Sequence, residues 1–268
     1  MRARRLTRAL LACGAAAPAL FILVFLLDGA TRAGYDPTYH PVSALSLGER
    51  GWLQIANFVL TGLLLLAFAV GIRRALHPGS AGTWGPVAVA VFGLGLLLSG
   101  TFVMDPMRGY PPGTSRDGGT DPSWHHMLHD NLGLVVFLSV PLACVVLARR
   151  SLGRPGGRGW AAYDLLSGVA GLGLLVAFGT AWEVDHRSAG LIQRAMILVD
   201  WAWVTVLALR LLIELRSSVG RSAAPTGRAG RSVDLGGGSA GRASLSTARH
   251  RTAQRQVTRW WHLGRSKP

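Results

Sequence analysis

Six stretches of about 20 mainly apolar residues constrain this chain more than any other feature. A helix rises about 1.5 Å per residue, so about 20 such residues cross the roughly 30 Å hydrocarbon core of a bilayer. The stretches cover residues 10–27, 52–72, 84–104, 128–148, 161–182 and 191–213. Runs such as 63–70 are apolar at every position, which excludes the alternation of a membrane barrel. The sequence therefore predicts an all-α integral membrane protein, a six-helix transmembrane bundle.

Composition supports this class and separates a tail from the body. The 268 residues are 50% hydrophobic and 15% charged, whereas soluble domains have about 25% charged residues. From residue 216 onward eleven Arg and Lys stand against one acid, so the tail holds ten of the fifteen net positive charges. We expect residues 1–215 to form the membrane domain and 216–268 to be a disordered basic tail. Because the body is nearly balanced, we expect no specific nucleic-acid partner.

Arginines in the connecting loops orient the predicted bundle. Ten lie on the side that includes the N-terminus and five on the other, alternating through every loop. The positive-inside rule then predicts that both termini are cytoplasmic and that the chain is a multi-pass protein of the cell membrane. The first stretch could instead be a secretory signal. Its apolar run exceeds the usual length of roughly 7–15 residues, so we favour a retained anchor.

Lipid is the expected partner of the bundle, and the tail offers a further contact with it. Arg259, Trp260 and Trp261 stand among basic residues and could rest on an anionic inner leaflet. The alternative is a solvated basic tail. Cys13 and Cys144 both fall in apolar stretches, so the sequence offers neither a disulfide framework nor a CxxC metal site. The oligomeric state is not indicated.

Histidines cluster at the predicted outer entrance of the fourth helix. His125 and His129 are four residues apart and therefore share a helical face, so two imidazoles could bind one metal ion. His40 or Asp105, both predicted on the same side of the membrane, could complete a zinc site. Alternatively, these histidines simply lie in the hydrated headgroup region.

Two further residues on that side are candidate catalytic groups. Asp105 ends the third stretch directly before Pro106 and could act as a base, or it is a helix-end residue that faces water. Ser43 lies in the apolar segment 39–46, which could dip into the membrane as a re-entrant or interfacial segment. Its hydroxyl could stabilise an oxyanion, although local capping of the backbone is the alternative.

Polar residues inside the predicted spans mark the inward faces of the bundle. Asp200 lies nine residues into the last span, where an isolated carboxylate costs a few kcal/mol, so it must face protein or water. Gln193 lies seven residues earlier on the same face, and Gln54, Asn57 and Thr61 form a polar stripe on the second helix. Asp200 is then either a protonated structural residue or a proton or substrate site.

Several segments carry a resemblance to a known family. Residues 41–46, the 51–54 helix start, 102–106 and 125–129 resemble the bacterial membrane family catalogued as domain of unknown function 998. The likeness covers residues 8–216 and implies six spans without an assigned activity. At the level of residue types, the set is also similar to the alkaline ceramidase and adiponectin receptor superfamily, which places a serine, an aspartate and three histidines around zinc. That superfamily has seven spans and a different order of these residues.

Two functions are compatible with these residues. We expect a non-catalytic membrane module, such as a transporter-like, sensor or assembly subunit, in which Asp200 and the second-helix stripe bind a proton, a small ligand or another helix. The alternative is a zinc-dependent hydrolase of a lipid or envelope substrate at the outer face, with the metal on His40, His125 and His129, Asp105 as base and Ser43 at the oxyanion. The sequence has no phosphate-binding glycine loop, nucleophile elbow or HExxH motif, which disfavours ATPases, the corresponding serine hydrolases and common zinc proteases.

Overall fold

The computed structural model describes residues 2–116 and 121–223, with side chains described as far as residue 217. Within these residues the chain forms six long helices, each long and apolar enough to cross a membrane. A 3-10 helix at Val42–Ser46, which we call the cap helix, precedes the second of them. The long helices are α1 (Arg2–Ala30), α2 (Gly51–Leu76), α3 (Ala81–Thr101), α4 (Trp124–Leu152), α5 (Arg158–Glu183) and α6 (Ala189–Ala223).

The six-helix prediction is confirmed: five helices extend beyond their predicted spans, and α3 ends earlier than expected. The third span was expected to reach residue 104, but α3 ends at Thr101 and Phe102 is extended. Pro106 disfavours helical backbone at the residue before it, Asp105. The Asp105 N–H donates to His126 Nδ1 instead of to a carbonyl within the helix. At the C-terminal end, α6 continues to Ala223, beyond the predicted start of the tail at residue 216. The predicted disordered region from residue 224 and the lipid contact at 259–261 lie outside the described residues.

The helices form a closed ring in chain order. Each helix packs against the next one, and α6 returns to pack against α1. Large apolar side chains cover the outside of this ring, where Leu142, Leu166, Val169 and Val176 are 63–70% exposed. Such exposure suits hydrocarbon and would be unfavourable in water. The apolar exterior is therefore the lipid-facing surface of a multi-pass membrane protein.

Glycines allow α2 and α3 to pack backbone against backbone. A Cβ built on Gly62 would lie 2.5 Å from the Gly93 carbonyl oxygen, and one on Gly93 would lie 2.8 Å from the Gly62 carbonyl oxygen. Small residues drive helix association in lipid because they permit this close approach and its dispersion contacts. The pair Gly62–Gly93 thus fixes the distance between α2 and α3.

The three loops predicted to lie outside meet at one end of the ring, which we call the cap end. Asp28, near the end of α1, forms ion pairs with Arg32 at 2.9 Å and with Arg50 at 2.7 Å. Arg32 also donates to the Leu45 carbonyl within the cap helix and to the Leu47 carbonyl directly after it. Across the ring, Arg108 pairs with Asp185 at 3.1 Å, which joins the α3–α4 loop to the α5–α6 loop. The predicted outer groups therefore share one end of the molecule.

We expect Gly62→Ala to destabilise the protein because the new methyl group overlaps the α3 backbone. Overpacking of this kind costs about 1–3 kcal/mol, and it should appear as a lower Tm in detergent. Gly173→Ala is the matched control, since among the described residues a Cβ there meets no atom within 4 Å. An equal loss of Tm in both variants would contradict the role of the Gly62–Gly93 contact.

Candidate functional site

A cavity of about 450 Å³ lies inside the ring at its cap end. All six long helices and the cap helix contribute to its wall, which is mainly apolar. This volume is within the roughly 300–1,000 Å³ of sites for small organic ligands. The aromatic residues of the wall are Phe21, Phe58, Phe92, Phe137, Phe178, Trp182 and Trp201, and the polar ones are Ser43, Ser99, His129, Asp130, Glu183, Gln193 and Asp200.

Between α4 and α5 the wall of the cavity has little side-chain cover. Gly133 on α4 and Gly179 on α5 both line it, and a Cβ on either would have no described atom within 4 Å. Along α5 the stretch 172–180 contains no buried residue in the described structure. The cap-end half of α5 is therefore the least covered part of the cavity wall.

Asp200 lies at the deep end of this cavity. The residue is only 2% exposed. Its Oδ1 has no hydrogen-bond partner in the parts of the chain that the structure describes. The carboxylate fits against α5 because Gly171 has no side chain, and a Cβ there would lie 2.7 Å from Oδ1. The ring of Trp201 beside it lies 5.0 Å from both Phe21 and Phe92. A buried carboxylate without a partner and next to a cavity is available to bind something there.

The polar stripe on α2 joins that helix to α1. Asn57 Nδ2 donates to the Phe21 carbonyl at 3.1 Å and to Gln54 Oε1 at 3.3 Å, and Thr61 donates to Asn57 Oδ1. All three side chains are buried. Gln54, Asn57 and Thr61 do not line the cavity, so the stripe has structural hydrogen bonds and lies apart from Asp200.

Gln193 and Arg194 on α6 hold residues 39–46, which we call the cap segment, over the cavity. Gln193 Oε1 accepts the Val42 N–H at 2.8 Å, at the start of the cap helix. Arg194 donates to the His40 carbonyl at 3.0 Å and to the Tyr35 hydroxyl at 2.5 Å. Pro41, Val42 and Ser43 line the cavity directly below these bonds. The segment 39–46 therefore closes the cap end of the lumen.

Both ring nitrogens of His40 are used within the protein. Nδ1 accepts the Asp36 N–H at 2.9 Å, and Nε2 lies 3.2 Å from the Arg108 carbonyl oxygen, to which it donates. Burial lowers the pKa of His40, and the positive charges of Arg108 and Arg194 lower it further against the opposing effect of Asp36. His40 is therefore a neutral imidazole that bonds the cap segment to the α3–α4 loop.

The histidines at the start of α4 have separate surroundings. His125 is exposed and stacks on Trp124 with 3.7 Å between ring centroids. His126 pairs with Asp130 at 3.4 Å. His129 is buried, donates from Nδ1 to the Phe102 carbonyl at 2.8 Å and lines the cavity. His125 and His129 thus lie on one face of α4, but one is outside the protein and the other is inside.

Asp105 fixes the beginning of α4. Its two oxygens accept the hydroxyl and the N–H of Ser123, the N-cap residue, both at 2.7 Å. Burial raises the pKa of Asp105, but the bonds from Ser123 outweigh this and leave the pKa below its ordinary value. Asp105 does not line the cavity, whereas Ser43 does.

The predicted metal ligands do not come together in this structure. Across residues 2–116 and 121–223, no group of three or more His, Cys, Asp or Glu side chains is arranged to hold a metal ion. His40, His125 and His129 each have the separate contacts given above. The zinc site and the catalytic roles of Asp105 and Ser43 stay predictions, and neither follows from the observed arrangement.

The comparison with protein families gives one match. The family described as "Protein of unknown function (DUF998)" matches residues 15–210, which include α2 to α5 and most of α1 and α6. The chain belongs to the DUF998 family. No curated protein and no solved structure matches it, so the analogy to the ceramidase and adiponectin receptor superfamily finds no support. Membership of DUF998 agrees with the six-helix ring and assigns no activity.

Sequence reasoning missed three residues that shape the site or the bundle. Arg194 lies inside the predicted span 191–213, where a charge is costly, and that position was a usable signal. Asp164 is 3% exposed and accepts the Trp203 indole N–H at 3.0 Å, but it stands near the start of its span and resembled a helix-end residue. Gly171 carries no sequence signal, because its importance depends on which α6 residue faces it.

We expect the cap segment to loosen as the pH falls below about 6.5, the ordinary pKa of histidine. Because the pKa of His40 is lowered in the folded protein, the unfolded chain binds the proton first and folding stability declines with acidification. A protonated Nδ1 also no longer accepts the Asp36 N–H. Amide hydrogen exchange at residues 36–40, corrected for its intrinsic pH dependence, should rise between pH 7.5 and 5.

His40→Asn is the control for this titration. The amide oxygen of asparagine can still accept the Asp36 N–H, but it does not titrate in this range. Exchange at residues 36–40 should then depend much less on pH. The same pH dependence in both proteins would show that another group is responsible.

Proposed function

We propose that the chain is a non-catalytic membrane module that takes up a small hydrophobic molecule from the bilayer and holds it inside the helical ring. The observation that carries this proposal is the cavity of about 450 Å³, which is lined by all six helices and contains the unpartnered carboxylate of Asp200. Uptake of a ligand from lipid is the binding activity that a transporter-like or sensor module requires.

The shape of the cavity favours entry from the side. The cap segment lies across the cap end and is held there by Gln193 and Arg194. The wall between α4 and α5, in contrast, carries no side chain at Gly133 and Gly179, and the proposal places the opening there. A hydrophobic molecule dissolved in lipid reaches this opening without crossing the headgroups. Burial of its apolar surface among the aromatic side chains then favours binding.

The polar groups of the cavity support binding rather than catalysis. Asp105, the predicted base, has both carboxylate oxygens bonded to Ser123 and lies outside the cavity. The hydroxyl of Ser43 and the carboxylate of Asp200 line the same cavity. Ser43 belongs to the cap helix and Asp200 lies at the deep end, so the two groups are separated along the lumen. Asp200 is about 16 Å from the cap end of α6, at 1.5 Å per residue.

A neutral photoreactive probe tests this proposal in liposomes. We expect an aryl diazirine that carries a hydroxymethyl group to label cavity residues such as Phe137 and Trp201, read by mass spectrometry of peptides. Gly179→Leu should reduce this labelling severalfold because the new side chain occupies the opening between α4 and α5. Labelling restricted to lipid-facing residues in the unmodified protein would contradict the proposal.

Gly173→Leu is the matched control for the blocked opening. Gly173 is also on α5, and a Cβ at this position meets no described atom within 4 Å, but the residue does not line the cavity. Its labelling pattern should equal that of the unmodified protein. A loss of cavity labelling in both leucine variants would point to a general disturbance of α5.

A further inference from the structure

The charges around the cavity define a class of ligand. Three carboxylates line it, from Asp130, Glu183 and Asp200, and His129 is the one basic side chain among them. No Arg or Lys belongs to the described lining. Asp130 and Glu183 are exposed near the proposed opening, whereas Asp200 is 2% exposed at the deep end.

The surroundings of Asp200 fit a cation at close range. No salt bridge between described residues includes it, and its Oδ1 accepts no hydrogen bond from them. A carboxylate buried in this way is stabilised when a proton or a positively charged group joins it. The indole of Trp201 and the ring of Phe21 also line the cavity at this level, and aromatic faces attract ammonium groups.

Nearby arginines are already engaged elsewhere. Arg194, six residues before Asp200 on α6, donates to Tyr35 and to the carbonyls of His40 and Gly190. Arg108 pairs with Asp185 and lies over the Trp182 ring at 3.5 Å. These guanidinium groups stabilise the cap end and leave Asp200 without a cationic side chain from the described protein.

We propose that the ligand of this cavity is a compact hydrophobic amine, bound as an ammonium ion to Asp200 against the Trp201 and Phe21 rings. This inference rests on the proposed function and adds to it the chemical class of the ligand. Asp130 and Glu183 draw the ammonium group to the opening between α4 and α5. Asp200 then holds it by a charge-assisted hydrogen bond while the aromatic wall covers the apolar body.

Two probes of matched shape test the inference on the full chain in non-ionic detergent micelles. They are 4-phenylbutylamine and 4-phenylbutanol, which differ in the charged group and share the apolar body. We expect calorimetric titration to give an affinity of the amine that falls about ten- to hundredfold in Asp200→Asn, the loss of one hydrogen bond to a charged group. The affinity of the alcohol should change little. Comparison within one micelle type cancels the partition of each probe into detergent.

Glu49→Gln is the matched charge control. Glu49 is exposed in the loop before α2 and does not line the cavity, so removal of its charge should leave amine binding unchanged. An equal loss of amine affinity in Asp200→Asn and Glu49→Gln would overturn the inference, because net charge would then explain the binding. If Asp200→Asn does not fold, tighter binding of the amine than of the alcohol by the unmodified protein supports the inference, and equal binding overturns it.

The outcomes separate the two proposals. Cavity labelling by the neutral photoprobe together with equal binding of amine and alcohol leaves the ligand-binding module standing and overturns the amine. Absence of both cavity labelling and saturable binding overturns both. Selective amine binding that Gly179→Leu weakens and Gly173→Leu preserves supports both.

Discussion

A chain in hydrocarbon must satisfy its backbone hydrogen bonds internally, and the rest of this structure depends on that constraint. Helices meet it locally, so each apolar stretch becomes one helix. Lipid gives no hydrophobic force between helices, so their packing relies on close contact, as at Gly62 and Gly93. Six helices that each pack on the next can close into a ring, and a ring of this size leaves space in its centre. The cavity is thus a consequence of how the helices associate.

The two ends and the centre of the ring use polar groups differently. At the cap end, the Asp28 ion pairs and the bonds from Arg194 and Gln193 fix the α1–α2 loop, and Arg108 joins the other two loops through its ion pair with Asp185. On α2, Asn57 and its neighbours use their polarity to bind α1. Asp200 differs because it lines the cavity and its Oδ1 lacks a partner in the described structure, whereas the similarly unpartnered Gln54 Nε2 belongs to a residue outside the cavity lining. Polar atoms that are satisfied stabilise the scaffold, and the unsatisfied one beside a cavity is where binding energy remains available.

The DUF998 match reaches from α1 to α6, so the family shares the sequence that forms most of this ring. The lumen combines an aromatic wall with carboxylates. On the proposed function, hydrophobicity brings the ligand from lipid, while charge fixes where its polar group stops. These two requirements are independent, so the apolar body and the charged group of a ligand make separable contributions to affinity.

The sequence by itself determined the six spans, because about 20 apolar residues have no other low-energy arrangement in a bilayer. It also singled out Asp200, since a carboxylate deep in a span is costly wherever the helices lie. It did not determine which residues converge. His125 and His129 satisfy the spacing of metal ligands, yet one stacks on Trp124 outside and the other bonds to Phe102 inside. Likewise the positions of Gly133 and Gly179 in the cavity wall and the fit of Asp200 against Gly171 depend on the rotation and separation of whole helices. Those are set by packing between distant segments, which residue spacing within one helix does not encode.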